Sequence, residues 1–509
     1  MSITVVVLAA GRGTRMRSKY SKVLQKLSGQ TLLRHVISTA RAIEAQKIIV
    51  VHGFQGEEVI SSIRDHDITW VEQQSQQGTG DAVKCALKQI PQSGQSIILY
   101  GDVPLIQAKT LKKLHSSSLN NERRNLSMIT IHADDPKGLG RIIRDENGKI
   151  SAIVEEKDAN EYQRHIKEVN TGIYCVDNAL LHLLLPKLNN DNAQGEYYLT
   201  DIVALASKEG AEIKAVDPIL RFETDGVNDR VQLARLENKW QRYMAQELLR
   251  QGVQLADPDR LQIRGHLACG QDVFIDTCVT FEGDCTLEDD VIVETGAVLR
   301  NVYLHAGAHI KAYSVIEDSV VGPNAQVGPF AHLRAGTRLE ANTKVGNFVE
   351  TKKTTLGAGS KASHLSYLGD AVIGENVNIG AGTITCNYDG VNKFDTRIED
   401  GAFIGSNSSL VAPVTIGVDA TVGAGSVITK SVEPGVLAVG RAKQVIVTNF
   451  KRPAKTEQLS AFDLLQSDIA PDAPTEADPI EAKPTETKPS EGERVDTPEH
   501  PTENKPEER

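Results

Sequence analysis

A glycine-rich turn, one carboxylate and two cations a fixed distance apart are the residues of this sequence that could do chemistry. Near the N-terminus Gly11-Arg12-Gly13-Thr14-Arg15-Met16 follows an apolar run, and Lys22 comes shortly after. Glycines let backbone N–H groups approach an anion while Arg15 and Lys22 neutralise it, so this stretch can cradle a phosphate. It is not the dinucleotide fingerprint, which needs a third glycine, and it lacks the Gly-Lys-Ser/Thr end of a P-loop. Asp102, in Tyr100-Gly101-Asp102-Val103-Pro104-Leu105, closes another apolar run. A carboxylate there can hold a Mg²⁺ that also binds nucleotide phosphates; a turn Asp before Pro is the plainer alternative. Farther on, Arg334 and Lys352 each follow an apolar position of a six-residue repeat and lie 18 residues apart. If that repeat coils, the two stack on one face about 4.8 Å apart. Adjacent cations repel unless an anion sits between them, which makes the pair a phosphate-site candidate. Tyr367 falls at the same corner one coil on, and His364 and Asn378 lie off the inward positions. An outward His is either a solvated surface residue or, with a pKa of about 6.5, a general base.

These groups need two kinds of scaffold. Residues 3–10 read as a buried parallel strand. The alternation continues with helices near 31–45, 56–64 and 80–89 and strands at 47–52, 68–72 and 96–100, which predicts an α/β sheet with ligands at the strand ends. Residues 229–250 carry Leu233, Leu236, Trp240, Tyr243, Met244 and Leu248 at helical spacing and form a connecting helix. Beyond Pro258 the period changes. Val315, Val321, Val327, Leu333, Leu339 and Val345 recur every sixth residue, with Ala325, Ala331, Thr337, Thr343 and Val349 four residues after the last five of them. The pattern returns as Ile404, Leu410, Ile416, Val422 and Ile428. This is a hexapeptide array, with three units to a triangular coil of about 18 residues. An earlier series, Ile292, Val298, Leu304, Ile310 and Ile316, is out of step by one residue, implying an adjustment near 315–316. Units starting at Thr351 and Leu368 are shortened to five residues, and Thr385–Asp395 interrupts the repeat as an extruded loop, a candidate to wrap a ligand or a neighbouring subunit.

Composition bounds the rest. With 509 residues, 41 Gly and 5% aromatics, two to four domains are expected, one of them a thin coil. Of the net charge of −11, −9 lies in residues 454–509, which hold 6 Lys+Arg against 15 Asp+Glu. Nothing in that distribution suits a nucleic-acid partner. Nine of the 19 Pro lie from Pro453 onward, so this acidic tail is expected to be disordered. The six Cys have neither zinc-site nor disulfide-scaffold spacing and are expected to be reduced thiols. No stretch is long enough to span a bilayer and no signal peptide is evident, so a cytoplasmic protein without a membrane partner is expected.

Leu8-Ala9-Ala10-Gly11-x-Gly13-Thr14-Arg15-Met16, Gln76-Gln77-Gly78-Thr79 and Gly101-Asp102-Val103-Pro104-Leu105 resemble the sugar-1-phosphate nucleotidylyltransferases. With the hexapeptide half included, the chain to about 450 resembles the bifunctional N-acetylglucosamine-1-phosphate uridylyltransferase and glucosamine-1-phosphate N-acetyltransferase family. The resemblance implies a Rossmann-like nucleotidylyltransferase domain at 1–226, a linker helix at 227–251, a left-handed parallel β-helix at 252–450 and a tail at 451–509. It implies a nucleotide held by Leu8, Ala9, Ala10, Gly11, Gly13, Thr14, Arg15, Lys22, Gln73, Gln76, Gly78 and Thr79, and Mg²⁺ held by Asp102 and Asn228. Gly140, Glu155 and Asn170, with Asn228, would take the sugar at that site; from the residues alone Asn228 could equally be the N-cap of the connecting helix. In the second half the resemblance implies glucosamine-1-phosphate on Arg334, Lys352, Tyr367 and Asn378, with His364 as general base. Acetyl-CoA would lie on Ala381, Asn387, Tyr388, Ser406, Ala424 and Arg441. UTP and acetyl-CoA are the implied cosubstrates, and a homotrimer with acetyl sites between subunits is the implied assembly. The acidic tail departs from the family, whose members often end sooner or with a short basic segment. The competing reading makes the β-helix only an oligomerisation scaffold attached to a nucleotidylyltransferase.

Overall fold

The computed structural model describes residues 2–119 and 124–453. The expected disordered tail falls, from residue 454 onward, outside the described residues.

The first half is built on a sheet of seven main strands: β1 Ile3–Ala9, β2 Lys47–His52, β3 Ile68–Glu72, β4 Gln95–Tyr100, β5 Asn125–His132, β6 Glu168–Asp177 and β7 Glu212–Val216, in the order β7-β5-β6-β4-β1-β2-β3. β1 runs parallel to both β2 and β4, and β6 is antiparallel to β4 and β5. Helices cover both faces, so alternate residues of β1 are buried on opposite sides. Val5, Val7 and Ala9 join one core, and Val6 and Leu8 join the other. The helices expected between the strands form at Leu32–Ala42, Gly56–Ser62 and Thr79–Ala86. A side hairpin, Arg141–Arg144 with Ile150–Val154, adds to the β6 edge.

The connecting helix runs Arg230–Arg250 and is held to both halves from its middle turns. Leu236 packs with Met16, Leu27, Leu32, Leu105 and Val227 of the first half. Gln241 accepts from the Ile263 N–H at 2.8 Å and donates to its carbonyl at 2.8 Å, so one buried amide satisfies both backbone groups of a residue in the first coil. Ser28, at the tip of the hairpin Lys26–Thr31, donates to that same carbonyl at 2.5 Å. The phosphate-loop region is thus braced against the start of the coil.

From Gln254 to Ala438 the chain winds as a parallel β-helix whose strands pair only with the coil before and the coil after. The inward residues are those the repeat predicts: Val321, Val327, Leu333, Leu339, Val345, Ile404, Leu410, Ile416 and Val422 are all 0–1% exposed. Three of the expected positions need correction. Val315, Val298 and Ile292 do not face the core; Ile316, Leu299 and Val293 do, each at 0%. Each misassigned residue is one of two adjacent apolar residues, and hydrophobicity alone does not say which of such a pair points inward. The structure decides because Leu299–Leu304 and Ile316–Val321 are also five-residue units, like those at Thr351 and Leu368, and turn through a single left-handed residue, Asn301, Asp318, Lys353 or Asp370. Register partners are consequently 17 or 18 residues apart in most coils, as in Val315↔His332 and Val320↔Arg338, and 25 apart across the extruded loop, as in Asn378↔Phe403. The extruded loop is present: Cys386 and Thr396 end and restart pairing, and Tyr388 bridges Lys393 across it. Residues 443–453 are exposed. The six cysteines are free, and no helix among the described residues is long and apolar enough to cross a membrane.

Candidate functional site

Two groups of the expected residues are gathered by the fold, one in each half. In the first, β1 ends at Ala9 and the chain turns through Ala10 and Gly11 to Gly13, which has φ 61°. A Cβ at Gly13 would lie 2.6 Å from the Cβ of Lys22, so the glycine lets Lys22 fold back across the turn. The Lys22 ammonium ion-pairs with Asp102 and donates to the Asn228 side-chain oxygen at 3.2 Å. Asp102 and Asn228 are 126 residues apart in sequence, and one backbone hydrogen bond joins their segments: Val227 N–H donates to the Asp102 carbonyl at 2.9 Å. Asp229, not Asn228, caps the connecting helix, accepting from Gln232 N–H at 2.8 Å. The capping alternative for Asn228 is thereby removed, and its side-chain oxygen is turned towards the site.

Leu8, Ala9, Ala10, Gly11, Lys22, Gln73, Gln76, Gly78, Thr79 and Asp102 line a cavity of about 290 Å³. Gly78, at φ 113°, is pressed so close to the Tyr197 carbonyl that a Cβ would lie 2.6 Å from it. Gln73 is 4% exposed and spends its amide N–H groups on the Gly78 carbonyl and the Asp81 carboxylate, which fixes the turn. Arg15 and Thr14 stand exposed on the short 3-10 turn Thr14–Met16 and do not line this cavity. A second cavity, about 460 Å³, holds Asn170, Asn228 and again Asp102. Gly140 and Glu155 adjoin it through Asn170, whose N–H donates to the Gly140 carbonyl at 2.8 Å; both Glu155 oxygens lie 3.5 Å from where a Gly140 Cβ would be. Burial raises the Glu155 carboxyl above the usual range, only partly offset by a hydrogen bond from Thr200.

Tyr100, which the sequence reading passed over, lines both cavities. Burial, then the Glu155 and Asp102 charges, push its phenol up, so it remains a donor at the junction. Its only sequence signal is its place as the last residue of β4 before Gly101-Asp102.

Asp102 and Asn228 offer a carboxylate and an amide oxygen to one cation-sized position, now faced by the Lys22 ammonium. Hard oxygen donors of this kind fit a divalent cation such as Mg²⁺. Among the described residues no cluster of three or more His, Cys, Asp or Glu could hold a metal alone, so the phosphates and water would supply the remaining ligands.

On the β-helix, register creates a line of charge along one face. Arg264 pairs with Glu282, Glu282 with Arg300, and Arg300 with Glu317, at 2.7–2.9 Å. The next two coils bring Arg334 and Lys352, whose preceding residues Leu333 and Thr351 are partners. Alternation therefore breaks at Lys352. Arg334 turns to Glu350 at 2.8 Å, but Lys352 meets Lys393 from the extruded loop. That contact, then desolvation and the Arg334 charge, hold the Lys352 ammonium below its usual range, against the opposing charge of Asp370. Lys393 is a further functional candidate that the spacing argument missed, because a loop has no register from which to place it. Tyr367 lies on the same face one coil on, opposite Glu350 and over Gly369, two positions from Lys352's own partner.

His364 ends the preceding strand, separated from Tyr367 only by the corner Leu365-Ser366. Asn378 opens the next strand of the His364 stack. Ala381, Ser406 and Ala424 form a line along that corner: Asn407 N–H donates to the Ala381 carbonyl at 2.7 Å, Gly425 N–H to that of Ser406 at 2.8 Å, and the Arg441 guanidinium to that of Ala424. Asn387 is buried and donates to Asp370, whereas Tyr388 is exposed on the extruded loop.

The fold and these two sites define a two-centre transferase, a nucleotidyltransferase joined to a hexapeptide-repeat acyltransferase. The MobA-like NTP transferase domain family matches residues 5–136, and the hexapeptide repeat of succinyl-transferase matches residues 395–430. The bifunctional protein GlmU of Acinetobacter baumannii (strain ACICU) is 56% identical over 458 residues, 90% of this chain and 100% of that protein. The GlmU of Acinetobacter baylyi is 55% identical over 90% of this chain and 100% of its own length. That of Marinobacter nauticus is 50% identical over 89% and 99%. The chain belongs to the bifunctional GlmU family. It acetylates glucosamine-1-phosphate from acetyl-CoA and transfers a uridylyl group from UTP to N-acetylglucosamine-1-phosphate, the latter with a metal ion, in the supply of UDP-N-acetylglucosamine for the cell wall.

The broken charge line yields a test that separates folding from function. Lys352→Glu completes the alternation, so its unfolding temperature should equal or exceed that of the unmutated protein, while acetyl transfer is lost and uridylyl transfer persists. A lowered unfolding temperature would mean that Lys352 serves the fold.

Proposed function

We propose that the two activities divide at the connecting helix, with uridylyl transfer in residues 1–226 completed by Asn228 at the start of the linker 227–251, acetyl transfer in 252–450 and no catalytic role for 451–509. The observation that carries this reading is that every charged group assigned to one reaction is gathered within one half.

For uridylyl transfer, Asp102 and Asn228 hold a Mg²⁺, which when bound neutralises the UTP phosphates and favours in-line displacement at the α-phosphorus. The turn Gly11–Thr14 with Arg15 and Lys22 receives the phosphates, and Leu8–Ala10, Gln73, Gln76, Gly78 and Thr79 receive the nucleoside. Gly140, Glu155, Asn170 and Asn228 bind N-acetylglucosamine-1-phosphate so that its phosphate oxygen faces the α-phosphorus; a P–O bond forms as the bond to pyrophosphate breaks. Lys22 offsets charge on the transferred group.

For acetyl transfer, Arg334, Lys352 and Lys393 take the phosphate of glucosamine-1-phosphate, and Tyr367 and Asn378 take its sugar. His364 accepts the proton of the attacking amine. The amine attacks the thioester carbonyl, the C–N bond forms and the C–S bond breaks. CoA lies along Ala381, Ser406, Ala424 and Arg441, with Asn387 and Tyr388 at the base of the loop.

The active assembly is a cytoplasmic homotrimer. At one corner of the coil Tyr313, Phe330, Phe348 and Leu365 occupy successive turns at φ 49–57°, where bulky side chains are strained. They are 48–61% exposed, and the aromatic rings stack 5.5 Å apart. An exposed apolar line held in a strained conformation supports a subunit contact, and it ends beside His364. Phe330→Asn with Phe348→Asn keeps residues that tolerate this conformation. The doubly substituted chain should run as a monomer by light scattering and lose acetyl transfer; a trimer would place the contact elsewhere.

Asp102→Ala should abolish UTP-dependent pyrophosphate release and leave acetyl transfer within about twofold, since the carboxylate serves one site. Equal loss of both activities in a folded variant would contradict the division.

A further inference from the structure

We propose that Asn347 is a positioning residue for acetyl transfer, holding the His364 imidazole in the tautomer whose Nε2 is free to accept a proton. The proposal deepens, and rests on, the reading of His364 as general base.

Asn347 and His364 are register partners on adjacent coils. The Asn347 side-chain oxygen lies 2.6 Å from His364 Nδ1. A carbonyl oxygen can only accept, so Nδ1 must carry the hydrogen and the Nε2 lone pair is left open. A general base needs this state, and the other tautomer would present an N–H to the amine it has to deprotonate.

The neighbouring residues fix this geometry. A Cβ at Gly346 would collide with the Ser363 carbonyl, so the glycine allows the two coils to approach just before the pair. Ser366 Oγ donates to the His364 carbonyl at 2.9 Å and holds the corner. Among the described residues the Asn347 side chain makes no other hydrogen bond, so its one link between coils is the one to His364.

The acceptor is also neutral. The three strands stacked here, Lys344–Asn347, Lys361–His364 and Asn378–Ile379, carry Lys344 and Lys361 at their far ends and no carboxylate. Across the corner the charged groups of the site are Arg334, Lys352 and Lys393, with Glu350 paired to Arg334 and Asp370, which accepts from Asn387, acting on Lys352. A carboxylate at 347 would fix the same tautomer but stabilise the imidazolium, leaving less free base near neutral pH.

The test compares the full-length protein with Asn347→Ala, Asn347→Asp and His364→Ala, measuring acetyl transfer against pH and using uridylyl transfer to verify folding. Asn347→Ala should lose at least about tenfold in kcat, with KM for both substrates within about twofold. Asn347→Asp should recover most of that loss at high pH, with the acid limb of kcat/KM moved up by about one pH unit or more. The proposal is overturned if Asn347→Ala keeps kcat within twofold or raises only KM, or if the Asn347→Asp limb does not move, while His364→Ala is inactive. Retained acetylation in His364→Ala would instead remove the general-base reading beneath it.

Discussion

A parallel coil must stack each turn on the last at the spacing of strands in a sheet, about 4.8 Å. From the first coil to the one before the extruded loop, whatever stands at one outward position therefore faces the residue 17 or 18 places away. The β-helix uses this constraint for structure along most of one face, where Arg264, Glu282, Arg300 and Glu317 alternate in sign and neutralise one another. At Arg334 and Lys352 the same constraint sets like charges together, and the extruded loop adds Lys393. The charge alternates over four coils and then does not, which leaves adjacent cations on the face of the proposed phosphate site. The proposed base is set by the same stacking, because His364 and Asn347 meet only through the coil register.

The first half has no such repeat and relies on single long-range ties. Val227 and Asp102 share one backbone hydrogen bond, which sets Asn228 beside the carboxylate. Gln241 and Ser28 join the connecting helix, the hairpin Lys26–Thr31 and the first coil at Ile263. The clamp fixes how the chain passes from one half to the other, and the connecting helix also lines the second cavity of the first half with Arg235 and Lys239.

Much of this was legible in the sequence, for reasons that differ by element. Continuous apolar runs ending at glycine located β1, β2 and β4, because parallel strands are buried on both faces. The six-residue period gave the inward residues from Val321 to Val345, since the coil has room for little else. It failed at Val315, Val298 and Ile292, where apolar neighbours compete for the core and a five-residue unit shifts the phase. Asn228 could not be told from an N-cap until Asp229 was seen to fill that role. Tyr100, Lys393 and Asn347 were overlooked for a common reason. Tyr100 stands where two cavities meet, Lys393 on a loop and Asn347 opposite a partner 17 residues on, and none of these relations is a local pattern.

The central claim is that the break in charge alternation is a phosphate site beside the base. A crystal structure of the full-length protein with glucosamine-1-phosphate tests it most directly. The account predicts the phosphate within hydrogen-bond reach of the Lys352 and Lys393 ammonium groups and the Arg334 guanidinium, with the amine facing His364 Nε2. A sugar phosphate bound elsewhere on the coil, with Lys352 neutralised by a protein carboxylate, would contradict it.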